Sequence, residues 1–147
     1  MKRDSVKLLC LMVLLAGVFL LPSCAPTLGH VYQKPDKIQG NAGLVYLYRP
    51  KEIIGGGVSF TVKANGVPIT KLYNCGYYPY FATPGETEFS AKTESKSSVT
   101  LDVRAGEKYY IKGSVGVGFF IGRPHLIIVP ADIAEKEIAE CKLILER

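Results

Sequence analysis

The 147-residue sequence contains no tryptophan and only two histidines, His30 and His125. A metal site needs several clustered ligands, and no Cys-x-x-Cys pair is present to supply them. The Gly-x-Ser-x-Gly turn that presents a nucleophilic serine is absent, as is the glycine loop that ends in Lys-Ser/Thr and binds phosphates. Glu86 and Glu88 are more typical of a solvated strand face than of a catalytic carboxylate pair. These absences predict a protein without metal, cofactor or enzymatic activity.

The sequence also lacks a strong excess of charge. Lysine and arginine number 18 against 13 aspartates and glutamates, so the net charge is +5. Residues 1–23 contain Lys2, Arg3, Lys7 and Asp4, so the rest of the chain carries only +3. Without a dense basic stripe, a charge of this size does not predict a nucleic-acid partner.

The N-terminal residues have the organisation of a secretory signal. A basic start precedes a thirteen-residue apolar run from Leu8 to Leu20. A helix of that length spans about 20 Å, too short for the roughly 30 Å hydrocarbon core of a bilayer. Small residues follow the run, and the whole pattern predicts a signal peptide over residues 1–23.

Leu21-Pro22-Ser23-Cys24 resembles the lipobox of bacterial lipoproteins, in which an aliphatic residue and two small residues precede an invariant cysteine. The resemblance implies cleavage before Cys24 and acylation of its thiol and its new amine, with palmitate among the chains. Three acyl chains would hold the protein on a membrane. Because Ala25 stands where an Asp favours the inner membrane, the resemblance implies an outer-membrane lipoprotein facing the periplasm of a Gram-negative cell. The alternatives are ordinary secretion with a free Cys24 and an uncleaved membrane anchor, which the length of the apolar run disfavours.

Strand signals dominate the chain after residue 42. Residues 24–42 combine prolines, glycines and mixed charge, which predicts a lipidated N-terminus and tether before a domain over residues 43–147. The continuous apolar run from Leu44 to Tyr48 is typical of a buried central strand. Asn65-Gly66 predicts the type I′ turn of a hairpin. Further alternating segments bring the total to about seven or eight short strands.

The hydrophobic period changes at the C-terminus. From Ala131 onward, Ala134, Ile138, Cys141 and Leu145 lie on one face of a predicted helix of about four turns. We therefore expect a mostly β fold, an antiparallel β-sandwich or partial barrel with one C-terminal amphipathic helix.

Cys75 and Cys141 remain as a pair after Cys10 leaves with the signal peptide and Cys24 takes its lipid. An oxidising compartment favours a disulfide between them. The predicted helix turns Cys141 toward the sheet, which such a bond would require. Two separate buried thiols remain the alternative.

Two segments are candidate binding surfaces. Around Pro79 lie five aromatic residues whose rings suit sugars or peptides: Tyr73, Tyr77, Tyr78, Tyr80 and Phe81. The alternative is that half of them are core and half ordinary strand surface. The apolar, glycine-rich stretch 113–122 predicts a buried strand, and the alternative is contact with a bilayer or a partner protein.

Several short motifs, in their order along the chain, resemble a known family. They are Val45-Tyr46-Leu47-Tyr48-Arg49-Pro50, Asn65-Gly66, Pro84-Gly85-Glu86 and Ala105-Gly106-Glu107-Lys108-Tyr109-Tyr110. The segment from Gly43 to Val129 is similar to the small bacterial lipoproteins with domain of unknown function 2846. The resemblance implies no activity, because the family has none established.

These observations predict a lipid-anchored periplasmic protein that acts as a non-catalytic interaction or scaffolding module. Its membrane contact would be the N-terminal lipid, and its partner an envelope protein. The alternative is a small ligand-binding module for cell-wall glycan or peptide, which would bind peptidoglycan through residues 73–81.

Overall fold

The computed structural model describes residues 28–33, 38 and 40–145, and in this part of the chain there are ten strands and one helix. The strands before the helix are β1 (Leu28–Val31), β2 (Gly43–Arg49), β3 (Phe60–Ala64), β4 (Val67–Leu72), β5 (Gly76–Ala82), β6 (Gly85–Lys92), β7 (Lys96–Val103), β8 (Lys108–Gly116) and β9 (Arg123–Ile128). Helix α1 (Ala131–Ile138) and strand β10 (Lys142–Ile144) follow.

The strands form two sheets that pack face to face. The larger sheet has the order β1-β10-β5-β2-β8-β9, and the smaller has the order β4-β3-β6-β7. The predicted sandwich with one helix near the C-terminus is therefore confirmed, although it has ten strands rather than seven or eight. The larger sheet is mixed and not purely antiparallel, because β8 runs parallel to β2 and β10 runs parallel to β5.

Strand β2 lies at the centre of the molecule, as its apolar run predicts. Val45 and Leu47 face the smaller sheet and belong to the main core. Leu44, Tyr46 and Tyr48 face the opposite side, in a second cluster that α1 covers. Because both faces are covered, every residue of β2 is buried and the strand shows no polar alternation.

The predicted hairpin is confirmed as β3 and β4. Its turn residues Asn65 and Gly66 have φ of 48° and 82°, the left-handed values that this turn requires. Pro68 lies on β4, which is the edge strand of the smaller sheet. An edge position tolerates proline because its missing N–H is not needed by a second neighbour.

The two unpredicted strands are β1, inside the expected tether, and β10, inside the expected helix. Helix α1 ends at Ile138 after eight residues, half of the predicted length. Residues 142–144 instead pair with β5 on one side and β1 on the other. This pairing covers the edge of β5, which a longer helix would leave open, so the non-local contact overrides the helical period.

Two close contacts tie the layers together. Gly113 on β8 lies where the sheets approach, so that a Cβ there would be 2.6 Å from a Leu72 methyl group and 2.9 Å from the Phe60 ring. On the other face, Glu137 of α1 accepts hydrogen bonds from the Tyr48 hydroxyl at 2.7 Å and the Lys112 ammonium at 2.6 Å. The helix is thereby fixed to the sheet by a polar as well as an apolar contact.

Candidate functional site

The most exposed aromatic residues lie in the loop between β8 and β9. Phe119 and Phe120 are 83% and 85% exposed, and Val117 and Ile121 are exposed beside them. We call these four residues the apolar tip. The expected buried strand is wrong for this part of the run, because β8 ends at Gly116. Gly122 closes the loop at φ 101°, a left-handed conformation that favours glycine.

A single carboxylate holds the backbone of the apolar tip. Glu94, in the turn between β6 and β7, accepts N–H bonds from Phe119 at 2.8 Å, from Ile121 at 2.5 Å and from Phe120. These backbone hydrogen bonds, led by that from Ile121, lower the pKa of Glu94. The Thr93 hydroxyl adds a bond to the Gly122 carbonyl at 2.6 Å. The polar backbone is thus satisfied while the apolar side chains point outward.

A second exposed apolar loop follows β2. Ile53 and Ile54 are 97% and 72% exposed. The loop is held by Arg49, a fully buried side chain that donates to the carbonyls of Val58 at 2.5 Å and Gly55 at 2.7 Å. Burial lowers the pKa of Arg49, while the Glu52 carboxylate, 3.4 Å from its Nε, opposes that effect.

The loop after β2 is also held by Asn74, which lies in the connection between β4 and β5. The Asn74 side chain accepts from the Glu52 N–H and donates to the Glu52 carbonyl, both at 2.9 Å. This two-way bond fixes the start of the loop just ahead of Ile53 and Ile54.

The two apolar loops lie at the same end of the sandwich, which we call the loop end. Strands β2 and β8 are parallel and adjacent, so the chain leaves both at the same edge. Both loops pack against Val115: a Cβ at Gly55 or at Gly122 would lie 2.9 or 2.7 Å from its side chain. Ile53, Ile54 and the apolar tip therefore form one discontinuous apolar surface.

Cations border the loop end. Lys92 and Lys96 pair across the β6–β7 turn that carries Glu94. Arg123 follows the apolar tip and Lys51 precedes Ile53, and all four basic residues are exposed. From this border a shallow groove of about 500 Å³ runs over the outer face of the smaller sheet. It is lined by hydroxyl and ammonium groups that include Thr61, Lys63, Ser90, Lys92, Thr93 and Lys96.

The tyrosines of residues 73–81 do not form an exposed platform. Tyr77 is buried and makes an edge contact with Tyr32, with ring centroids 5.4 Å apart. Tyr73, Tyr78 and Tyr80 are partly buried and pack against the main core on the other face. Residues 76–82 form strand β5, which pairs with β2 along its length and with β10 at its start, and the rings of the segment divide between the two cores.

The structure describes two of the cysteines on which predictions were made, Cys75 and Cys141. Cys24 lies outside the described residues. Cys75 and Cys141 are free thiols, so the expected disulfide is not formed. Each thiol donates to a backbone carbonyl instead, Cys75 to Glu140 at 3.3 Å and Cys141 to Arg49 at 3.4 Å. Burial, and then the neighbouring Cys75, raise the pKa of the Cys141 thiol to about 12.

The described residues contain no constellation typical of a metal centre. His30 lies 3.4 Å from the Tyr77 hydroxyl, and His125 is exposed on β9 next to Gly116. Over residues 28–33, 38 and 40–145, no three side chains among His, Cys, Asp and Glu come together as possible ligands. In the same stretch, no helix has the length and apolar character needed to cross a membrane.

Sequence reasoning missed the residues that hold the loop end. Arg49 ends a fully buried strand, and a charged residue in that position is a usable signal of a buried polar anchor. Gly118 and Gly122 flank Phe119 to Ile121, which is a weak signal of a loop rather than a strand. Glu94 gives no signal, because it acts on residues 25 to 27 positions away.

The sequence model of one family, described as "Protein of unknown function (DUF2846)", matches residues 39–122. This is more than half of the chain, and it includes strands β2 to β8 and both apolar loops. No curated protein and no solved structure matches the chain significantly.

Proposed function

This chain belongs to the family described as "Protein of unknown function (DUF2846)", and since that description states no activity, we propose a function from the molecule's own surface. We propose a lipid-anchored envelope protein that acts by binding, without catalysis, through the loop end of its β-sandwich. The lipid is carried by Cys24, and the protein faces the periplasm from the outer membrane.

One observation carries the binding role: the loop end displays its apolar side chains on a backbone that is already held in place. Large exposed apolar groups gathered on one surface are typical of interaction sites. Glu94 and Arg49 each use two or more charge-assisted hydrogen bonds to fix a loop whose largest apolar side chains are exposed. A surface ordered before binding loses less conformational entropy when its partner arrives.

The N-terminal sequence supports the anchor. The lipobox-like residues end at Cys24, and β1 begins at Leu28. Four residues span at most about 14 Å of extended chain. A lipid on Cys24 would therefore hold the sandwich against the membrane rather than at the end of a long tether.

The anchor is tested in the full-length chain by metabolic acyl labelling and membrane fractionation. Cys24→Ser should abolish both the label and the membrane association, because it removes the acylated thiol. Cys75→Ser is the matched control, since it also removes a cysteine, and it should keep both. Acyl label on the Cys24→Ser chain would contradict the proposal.

The binding role is tested by a photoreactive side chain at position 120, on the apolar tip. Position 67 is the matched control, because Val67 is 63% exposed but lies beside the Asn65-Gly66 turn, at the far end of β3 from the loop end. We expect cross-links to an envelope component from position 120 and not from position 67. Absence of cross-links at position 120, or equal cross-linking at both, would refute a role for the loop end.

A further inference from the structure

We propose that the loop end binds the surface of an anionic lipid bilayer, and that this contact sets the orientation of the sandwich on the membrane. The inference rests on the proposed binding role of the loop end and names its partner. The apolar tip enters the boundary between headgroups and acyl chains, while the bordering cations contact the headgroups.

The shape of the apolar tip favours a bilayer over a protein. Phe119 and Phe120 are more than four-fifths exposed on one narrow loop, and their rings contact each other edge to face, with centroids 4.7 Å apart. Anchors in protein interfaces usually fill a pocket surrounded by a rim of further contacts. A protruding phenylalanine pair needs no complementary pocket in a fluid bilayer, because elements at a membrane surface bury apolar side chains such as Phe at the boundary between headgroups and acyl chains.

Charge complementarity points to the same partner. Lys51, Lys92, Lys96 and Arg123 border the apolar surface. Lys96 has an ion pair with Glu88 at 2.9 Å on an exposed face. Three acids share the loop end: Glu94 is bonded to backbone N–H groups, Glu52 is paired with Arg49, and Glu140 is exposed beside Cys75. The four exposed cations outnumber them. Basic residues beside an apolar wedge are attracted to anionic lipids.

The backbone of the apolar tip also suits an apolar environment. An unsatisfied peptide N–H is costly where water is scarce. Glu94 accepts the N–H groups of Phe119, Phe120 and Ile121, which are the residues that would enter furthest. The Glu94 backbone lies in the neighbouring turn, between Lys92 and Lys96. Its carboxylate, which is bonded to the loop backbone, would therefore stay with that backbone at the level of the headgroups, and only the apolar side chains would enter further.

Acyl chains on Cys24 would already hold the protein on the membrane. The main effect of the contact between the apolar tip and the bilayer would therefore be to set the orientation of the sandwich. With the loop end down, the Asn65–Gly66 turn and the start of β6 would point away from the bilayer. The groove on the smaller sheet would then run from the membrane surface, where Lys92 and Lys96 lie, away toward Lys63 and the Asn65–Gly66 turn.

The test uses the absence of tryptophan from the chain. Phe120→Trp and Val67→Trp each introduce a single tryptophan at an exposed position, one on the apolar tip and one beside the Asn65-Gly66 turn. Each acylated variant is reconstituted into vesicles of phosphatidylethanolamine and phosphatidylglycerol, with or without brominated acyl chains. We expect the emission of Phe120→Trp to shift to the blue and to lose most of its intensity with brominated lipid. Val67→Trp should show neither change.

Equal emission from the two variants would overturn the bilayer contact. Vesicles of phosphatidylcholine, which carries no net charge, test the contribution of the bordering cations. The quenching of Phe120→Trp by brominated chains should be weaker in these vesicles, because the attraction to anionic headgroups is lost. Unchanged quenching would overturn the role of the cations. Mass analysis of the same samples reports acylation, so failure of the anchor is visible independently of the fluorescence. Quenching absent from an acylated sample whose position 120 cross-links to a protein would refute the bilayer and leave the binding role standing.

Discussion

Replacing Arg49 by methionine is the sharpest test of how the loop end is held. The guanidinium is fully buried at the end of β2 and donates to the carbonyls of Val58 and Gly55. Methionine keeps much of the length and the apolar contact of the side chain but provides no donor. We expect the loop that carries Ile53 and Ile54 to lose its attachment to the sandwich.

The magnitude follows from the lost bonds. A hydrogen bond from a charged donor contributes about 1.5–3 kcal/mol, and two are removed. The carbonyls lie in a partly exposed loop and can be rehydrated, and buried methionine recovers some apolar stabilisation. A loss of about 3 kcal/mol in the free energy of unfolding is therefore expected, near the lower end for breaking a buried ion pair. That is a large part of the 5–15 kcal/mol typical of a whole domain.

The assay is urea denaturation followed by far-UV circular dichroism. Glu52→Gln is the matched control, because it removes the carboxylate partner of Arg49 but leaves both carbonyl bonds. The Glu52 side chain is partly exposed, so its loss should cost about 1 kcal/mol or less. Proteolysis after Lys51 should accelerate in Arg49→Met and not in the control. A cost below about 1 kcal/mol for Arg49→Met would refute the view that this side chain holds the loop.

Three further predictions concern the layers and the thiols. Gly113→Ala should lower the free energy of unfolding by about 1–3 kcal/mol through overpacking between the sheets, whereas Gly57→Ala, which meets nothing within 4 Å, should be nearly neutral in the same denaturation assay. Burial would raise the pKa of Glu137, but its hydrogen bonds with Lys112 and Tyr48 and the lysine charge outweigh burial, so the pKa is lowered. The stabilisation that the ionised carboxylate provides is therefore lost as pH falls through the acid range. The melting temperature should fall more steeply with decreasing pH for the native chain than for Glu137→Gln, and parallel curves would contradict this. Iodoacetamide should label Cys75 before Cys141, because the Cys141 thiol is buried and its pKa is raised. If neither cysteine is labelled before a reducing agent is added, the two are joined by a disulfide and the prediction is wrong.

The fold was predictable where the determining contacts are local. Strand β2 and the hairpin around Asn65-Gly66 follow from apolar continuity and turn chemistry, each contained in a few residues. Strand β10 was not predictable, because the helical apolar period runs on from Cys141 to Leu145, and the residues between them become extended only by pairing with β5 and β1. The local sequence alone does not determine whether these residues continue the helix or form a strand.

The candidate site was predictable only in part. The apolar run from Phe119 to Ile121 was visible, but the same residues suit a buried strand equally well. What decides their exposure is Glu94, a distant carboxylate that satisfies the loop backbone. The tyrosines of residues 73–81 show the converse: an aromatic cluster that suggests a binding face is divided between two cores once β5 is flanked on both sides.

The pairing of β1 with β10 gives the molecule a mechanical weak link. Strand β1 joins the sheet only through β10, which is three residues long. A pull on the chain before Leu28 is therefore borne first by this short edge, before tension reaches β2 and the centre of the sheet. If the edge separates, the fifteen residues from Leu28 to Ala42 add roughly 50 Å of extended reach. Release of this edge would also withdraw Tyr32 and Ile38 from the second cluster, so the packing on Tyr46 and Tyr77 would weaken while the main core between the sheets stays folded.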